Sequence, residues 1–219
     1  MGTHYATREE HPWPAILLHW AHLISMVVLI YTGFYIHRPF GPGSMDLMRT
    51  LHFIFMFVLI FVAIIRVYWA FFGAGSAAPG SRRKVADWRH FGRSPENKGQ
   101  ALETVKYYLF LRRTHPRTAK YNTLQKGTYM FWLVLIVLQA ITGFAIWTNT
   151  AAFFEPLTYL VGGHIVMRMW HYIIMWLFII TSLVHIYLSI AEGARQLPLM
   201  FAGVESGESE PEGRSAVAR

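Results

Sequence analysis

The chain has 219 residues, 54% of them hydrophobic and 16% aromatic, with a formal charge of +8 and no cysteine. The lack of cysteine excludes disulfides, thiolate metal sites, iron–sulfur ligation and covalent haem attachment through a C-x-x-C-H motif. The apolar share exceeds the roughly 45–50% of a soluble domain, and the excess is gathered in four blocks, 15–36, 51–72, 129–147 and 169–190. Each block approaches the roughly 20 residues that cross hydrocarbon. The pattern predicts an all-α integral membrane four-helix bundle over residues 15–194, with no large soluble domain.

In chain order, residues 1–14 form a polar lead that ends on Pro12 and Pro14. The first apolar block is too long for a cleavable signal, lacks an A-x-A site and carries two histidines, so it reads as a permanent helix. Residues 37–45, rich in Pro and Gly, turn the chain into the second helix. The segment 73–128 follows, opening with small residues and Pro79, and it holds 12 of the 20 Lys and Arg. The positive-inside rule places that segment, and with it both termini, in the cytoplasm. The charge is therefore a topology signal rather than a nucleic-acid one. Within the segment, residues 99–113 space Leu102, Val105, Tyr108 and Leu109 helically beside basic residues, which predicts a short amphipathic helix on the inner lipid surface. Residues 148–163, with Pro156 and a Gly pair, read as an external loop before the fourth helix. The end of the chain, 195–219, is assigned to a polar tail, Glu- and Gly-rich from Gly203 onward and disordered by composition.

Of the histidines inside the apolar blocks, four fall at two matched depths: His19, His52, His171 and His185. An ionisable side chain in hydrocarbon is costly and marks function by default. Helix one runs outward, so His19 lies at the inner side. Helices two and four run inward, so His52 and His171 are outer and His185 is inner. His171 and His185 are 14 residues apart, close to four turns and about 21 Å along one helix face. Matching by depth pairs His19 with His185 and His52 with His171. Each pair makes a bis-histidine site from two helices, which suits a low-spin electron-transfer haem. Two non-covalent haem b groups would satisfy all four side chains. A bare metal ion fits less well, because the spans hold no Asp or Glu. His22, one turn from His19, could ligate in its place. His4, His11, His37, His90, His115 and His164 are read as surface or interfacial.

Helix one ends Tyr31-Thr32-Gly33-Phe34 and helix three ends Ile141-Thr142-Gly143-Phe144. Gly33 and Gly143 could simply let membrane helices approach, or could offer a bare helix face to a porphyrin. Arg66 lies 14 residues after His52 on the same face. It could snorkel to lipid phosphate or meet an inner haem propionate.

Several of these stretches resemble the b-type cytochrome subunit of membrane-bound nickel–iron uptake hydrogenases, over nearly the whole chain. They are Leu18-His19-Trp20, Leu51-His52-Phe53, Trp170-His171, Val184-His185-Ile186-Tyr187 and, most specific, Arg66-Val67-Tyr68-Trp69-Ala70-Phe71-Phe72-Gly73. The resemblance implies two haems on the same four ligands, and an inner-membrane subunit working with the hydrogenase small and large subunits. It also implies electron delivery to menaquinone or ubiquinone. Residues 120–126 resemble the inner segment of the related formate dehydrogenase cytochrome subunit, where an Asn, a Gly and a Gln lie beside quinone. Here Asn122, Leu124 and Gln125 stand at those positions, with Lys126 next to them as a proton source. Capping and interfacial solvation are the plainer roles for Asn122 and Gln125. The same wire could serve formate dehydrogenase or another oxidoreductase. A haem-free transporter using the histidines as a proton relay is the competing class.

Overall fold

The structure, a computed structural model, describes residues 13–76, 84–86, 88, 99–112, 123–191 and 197–202. Helix α1 spans Trp13–His37, α2 Met45–Phe72, α3 Gln100–Tyr108, α4 Thr123–Ile146, α5 Ala151–Leu160, α6 His164–Ala191 and α7 Leu197–Ala202. A small antiparallel ribbon joins β1, Ala74–Ser76, to β2, Lys84–Ala86. Four helices are long and apolar enough to cross a membrane: Trp13–His37, Met45–Phe72, Lys126–Ile146 and His164–Ile190. These are the four predicted blocks, each beginning two to six residues earlier than the apolar run.

The bundle is built for lipid as its solvent. Large apolar side chains such as Phe61, Ile64, Leu183 and Ile190 face outward, while Ser25, Thr32 and Thr142 are buried. A buried hydroxyl in hydrocarbon must be satisfied within the protein. Ser25 donates to the Ala21 carbonyl at 2.7 Å, Thr32 to Val28 at 2.7 Å and Thr142 to Leu138 at 2.8 Å. α1 and α2 form one antiparallel hairpin, and α4 and α6 the other.

Local signals set where the spans begin. Ser44 caps α2 by accepting from the Leu47 amide at 3.1 Å, and the Tyr35 hydroxyl donates to the Gly43 carbonyl at 2.7 Å. Together they fix the turn between α1 and α2, with His52 two turns into α2. Before α6, Gly162 and Gly163 adopt φ of 112° and 94°. That left-handed backbone favours glycine, and it turns the chain from α5 into the helix that carries His171 and His185.

Met26, Leu59, Leu135, Ile174 and Phe178 form the buried core, one or two from each span. In every span this apolar layer lies between the residues of two polar levels, one toward each end of the bundle.

Two parts of the tail and loop regions differ from the expectation. Residues 195–219 are not uniformly polar tail: α7 forms at Leu197–Ala202 and docks on α1. The Trp20 indole donates to the Met200 carbonyl at 2.7 Å and stacks edge-on against Phe201 at 4.8 Å. Met200 and Phe201 give this short stretch an apolar contact with Ile16 and Trp20 on α1. The segment 148–163, expected as a loop, likewise contains α5, with Pro156 inside it. The amphipathic helix expected over 99–113 forms as α3. It is tied to the bundle by the Tyr187 hydroxyl, which donates to the Tyr108 carbonyl at 3.0 Å.

Candidate functional site

At one end of the bundle, His52 on α2 and His171 on α6 lie at the same level. The two imidazoles have matching surroundings. Thr32 Oγ1 stands 2.8 Å from His52 Nδ1, and Thr142 Oγ1 stands 2.9 Å from His171 Nδ1. Each threonine already spends its proton on the backbone of its own helix. Its oxygen can therefore only accept, so each imidazole carries its proton on Nδ1 and its lone pair on Nε2. At His171 this tautomer is supported independently, because the Gln139 amide lies 3.1 Å from Nε2 and donates to it.

The glycines that follow the threonines make room for these rings. A Cβ on Gly143 would meet His171 Cε1 at 3.2 Å. A Cβ on Gly33 would meet His52 Cε1 at 3.6 Å and Met175 Sδ at 3.5 Å. Gly143 thus permits a close approach of the His171 ring, whereas a Cβ on Gly33 would make only ordinary contacts.

The other polar level lies beyond the apolar layer. Trp132 on α4 stands between two histidines, stacked on His22 at 6.0 Å and edge-on to His185 at 5.5 Å. Its indole donates to Thr181 Oγ1 at 2.9 Å, which holds the ring between α4 and α6. His22 Nε2 is buried with no hydrogen-bond partner among the described residues. His19, one turn earlier, packs edge-on to Trp20. Arg66 is exposed on α2.

The family model described as prokaryotic cytochrome b561 matches residues 10–203. The chain belongs to the prokaryotic cytochrome b561 family. It is similar to the probable Ni/Fe-hydrogenase B-type cytochrome subunit of Azotobacter vinelandii, at 30% identity covering 82% of this chain and 78% of that one. The probable Ni/Fe-hydrogenase 1 B-type cytochrome subunit of Escherichia coli K12 is 27% identical, with 82% and 80% covered. That of Rhizobium leguminosarum bv. viciae is 26% identical, with 89% and 85% covered. This cytochrome is a multi-pass membrane protein of electron transport, and a b-type cytochrome holds haem b.

The residues present fit that group. His52 and His171 each offer a tautomer whose Nε2 carries the lone pair that a metal ligand needs. An iron ligand at His171 Nε2 would release the Gln139 amide, since that atom has a single lone pair. At the other level, the buried Nε2 of His22 and the nearby His185 supply nitrogen donors of the same kind. No three His, Cys, Asp or Glu converge among the described residues. A haem needs only two, because the porphyrin fills four coordination positions itself.

Of the residues singled out in the sequence, the structure brings together His52, His171, Gly33 and Gly143 at one level. At the other it groups His19, His22 and His185, with Arg66 toward the same end. Lys126 is half-buried in the first turn of α4. Gln125 belongs to that turn, while its side chain and the whole of Asn122 lie outside the described residues. Sequence reasoning missed Thr32, Thr142, Gln139, Trp132 and Thr181. The signal for the two threonines was present in the repeated Thr-Gly-Phe, of which only the glycine was given a role.

Proposed function

We propose that this cytochrome carries electrons through the inner membrane from a periplasmic nickel–iron hydrogenase to quinone, with two haem b groups as carriers. The observation that supports it best is the pair of histidine levels at opposite ends of one four-helix bundle, separated by the apolar layer. The names of the relatives support the partner, through the hydrogenase small and large subunits. Hydrogen oxidation yields two protons and two electrons, and reduction of a quinone to quinol consumes the same numbers.

Haem iron supplies the one-electron chemistry. His52 and His171 would hold the outer haem through Nε2, with Nδ1 fixed by the threonines. His185 with His19, or with the neighbouring His22, would hold the inner one. Both termini and the basic segment 73–128 face the cytoplasm in this arrangement. At that face, Asn122, Gln125 and Lys126 are the proposed quinone contacts, the amides for a quinone carbonyl and the ammonium as a proton donor. Arg66 is placed to neutralise an inner propionate.

A pyridine haemochrome assay on the purified chain should give two haems, both extracted by acidified organic solvent because no thioether is possible. A value of one or none overturns the di-haem reading. Reduction of the haem bands by hydrogen in the presence of the co-purified hydrogenase checks the partner. If another oxidoreductase co-purifies instead, the hydrogenase assignment falls.

A further inference from the structure

The two hairpins of the bundle repeat one device. On the first helix of each, Thr-Gly-Phe sits near the turn, at Thr32-Gly33-Phe34 in α1 and Thr142-Gly143-Phe144 in α4. On the second helix of each stands a histidine, His52 in α2 and His171 in α6. The contact lengths agree within 0.1 Å, at 2.8 and 2.9 Å, and both hydroxyls donate to the carbonyl four residues back. Each threonine is also within 3.2 Å of the carbonyl three residues back. Both threonines are buried, at 0% and 8% exposure. Glycine follows each threonine, and at Gly143 a Cβ would crowd His171 Cε1 at 3.2 Å. The polarity of the bond is forced, as the hydroxyl proton is used elsewhere.

We propose that Thr32 and Thr142 are the positioning residues of the outer haem, orienting its two ligands and tuning its potential through their Nδ1 protons. This rests on the reading that His52 and His171 are that haem's ligands. A hydrogen bond accepted from Nδ1–H locks the tautomer and raises the basicity of the ligand nitrogen. A more basic imidazole donates more charge to iron, which favours the ferric over the ferrous state. The pair therefore holds the outer potential lower than the same histidines would without the hydroxyls. Two threonines acting in parallel also keep both rings from rotating about χ2, so the mutual orientation of the imidazole planes is set before haem arrives.

Neither hydroxyl touches the reacting iron, so the test needs a readout beyond turnover. Thr32→Val and Thr142→Val keep shape and remove the acceptor. Thr32→Ala and Thr142→Ala remove it without a second methyl, in case valine disturbs assembly. Thr32→Ser and Thr142→Ser restore it. Redox titration of the purified, haem-loaded chain should show one of two components moving to higher potential in the Val or Ala variants. The expected change is on the order of tenfold in its reduced-to-oxidised ratio at fixed ambient potential, taking the low end of the roughly 10–100-fold effects that such partners have on metal affinity or activity. The low-spin ferric EPR signal of that component should change with it, and serine should return both toward the wild type. The inner component should stay where it is. Unchanged potential and EPR signal in the Val and Ala variants, or a shift that serine does not reverse, overturns the proposal and assigns the threonines to packing alone. Wild-type protein without two haems overturns the haem reading itself, a result visible before any variant is made.

Discussion

A Cβ on Gly143 would stand 3.2 Å from His171 Cε1, tighter than ordinary contact, while one on Gly33 would find His52 and Met175 at 3.6 and 3.5 Å. Met175 is flexible and can yield, whereas the His171 ring is pinned by Thr142 and Gln139. Gly33→Ala should therefore keep the outer haem, and Gly143→Ala should displace its ligand, with lower haem content or an altered low-spin EPR signal. Equal tolerance at both positions would show that the close approach at Gly143 is not needed. His52→Ala and His171→Ala should each remove the same component from a redox titration. Loss of different components would break the pairing. His19→Ala and His22→Ala distinguish the inner ligand, since only the true one should remove the component that His185→Ala removes. The histidines themselves were legible because a titratable side chain in an apolar run stands out. Thr32 and Thr142 were not, because a threonine in a membrane helix usually satisfies itself on its own backbone. Only the spatial neighbour shows that the oxygen has a second task.

Among the elements, α7 and α3 pin the bundle end that carries His19, His22 and His185. Losing the Trp20 indole bond to the Met200 carbonyl in Trp20→Phe should destabilise the chain by about 1 kcal/mol. The check is a lower thermal midpoint in detergent with the spectrum of the haems unchanged. Tyr187→Phe should cost a similar amount by freeing α3 from α6. Lys106 in α3 and Arg112 just beyond it bind the two oxygens of Glu103 at 2.9 and 2.8 Å. The Lys106 hydrogen bond, joined by Arg112, holds the Glu103 carboxyl below the usual carboxylate range. A depressed carboxylate contributes above its unfolded value of about 4.3 and loses that contribution as pH falls through the lower folded one. Amide exchange in α3 should therefore be insensitive to pH-linked opening near neutrality and rise in acid, and Glu103→Gln should abolish that rise. The long helices were legible from length and apolar content alone. α5 was hidden by Pro156 and the glycine pair, which read as loop punctuation although the proline sits inside the helix. α7 was hidden because six residues cannot outweigh the polar sequence around them.

For the whole molecule, four spans and the basic segment were readable because hydrocarbon thickness and charge asymmetry are written directly in composition. How the helices group into two hairpins depends on side-chain fit and was not. If quinone is reduced at the cytoplasmic face, Asn122→Ala with Gln125→Ala should slow hydrogen-dependent quinone reduction while hydrogen still reduces the haems. Full quinone activity in an assembled double variant would place the site elsewhere. The layer of Met26, Leu59, Leu135, Ile174 and Phe178 has a bearing on energy conservation. Hydrocarbon side chains offer a proton no hydrogen-bonded relay, yet an electron can tunnel past them between carriers. Such a partition separates the two kinds of charge: it conducts one and insulates against the other. If oxidation lies on one face and quinone reduction on the other, turnover would leave a voltage across the bilayer that protons could not discharge through this layer.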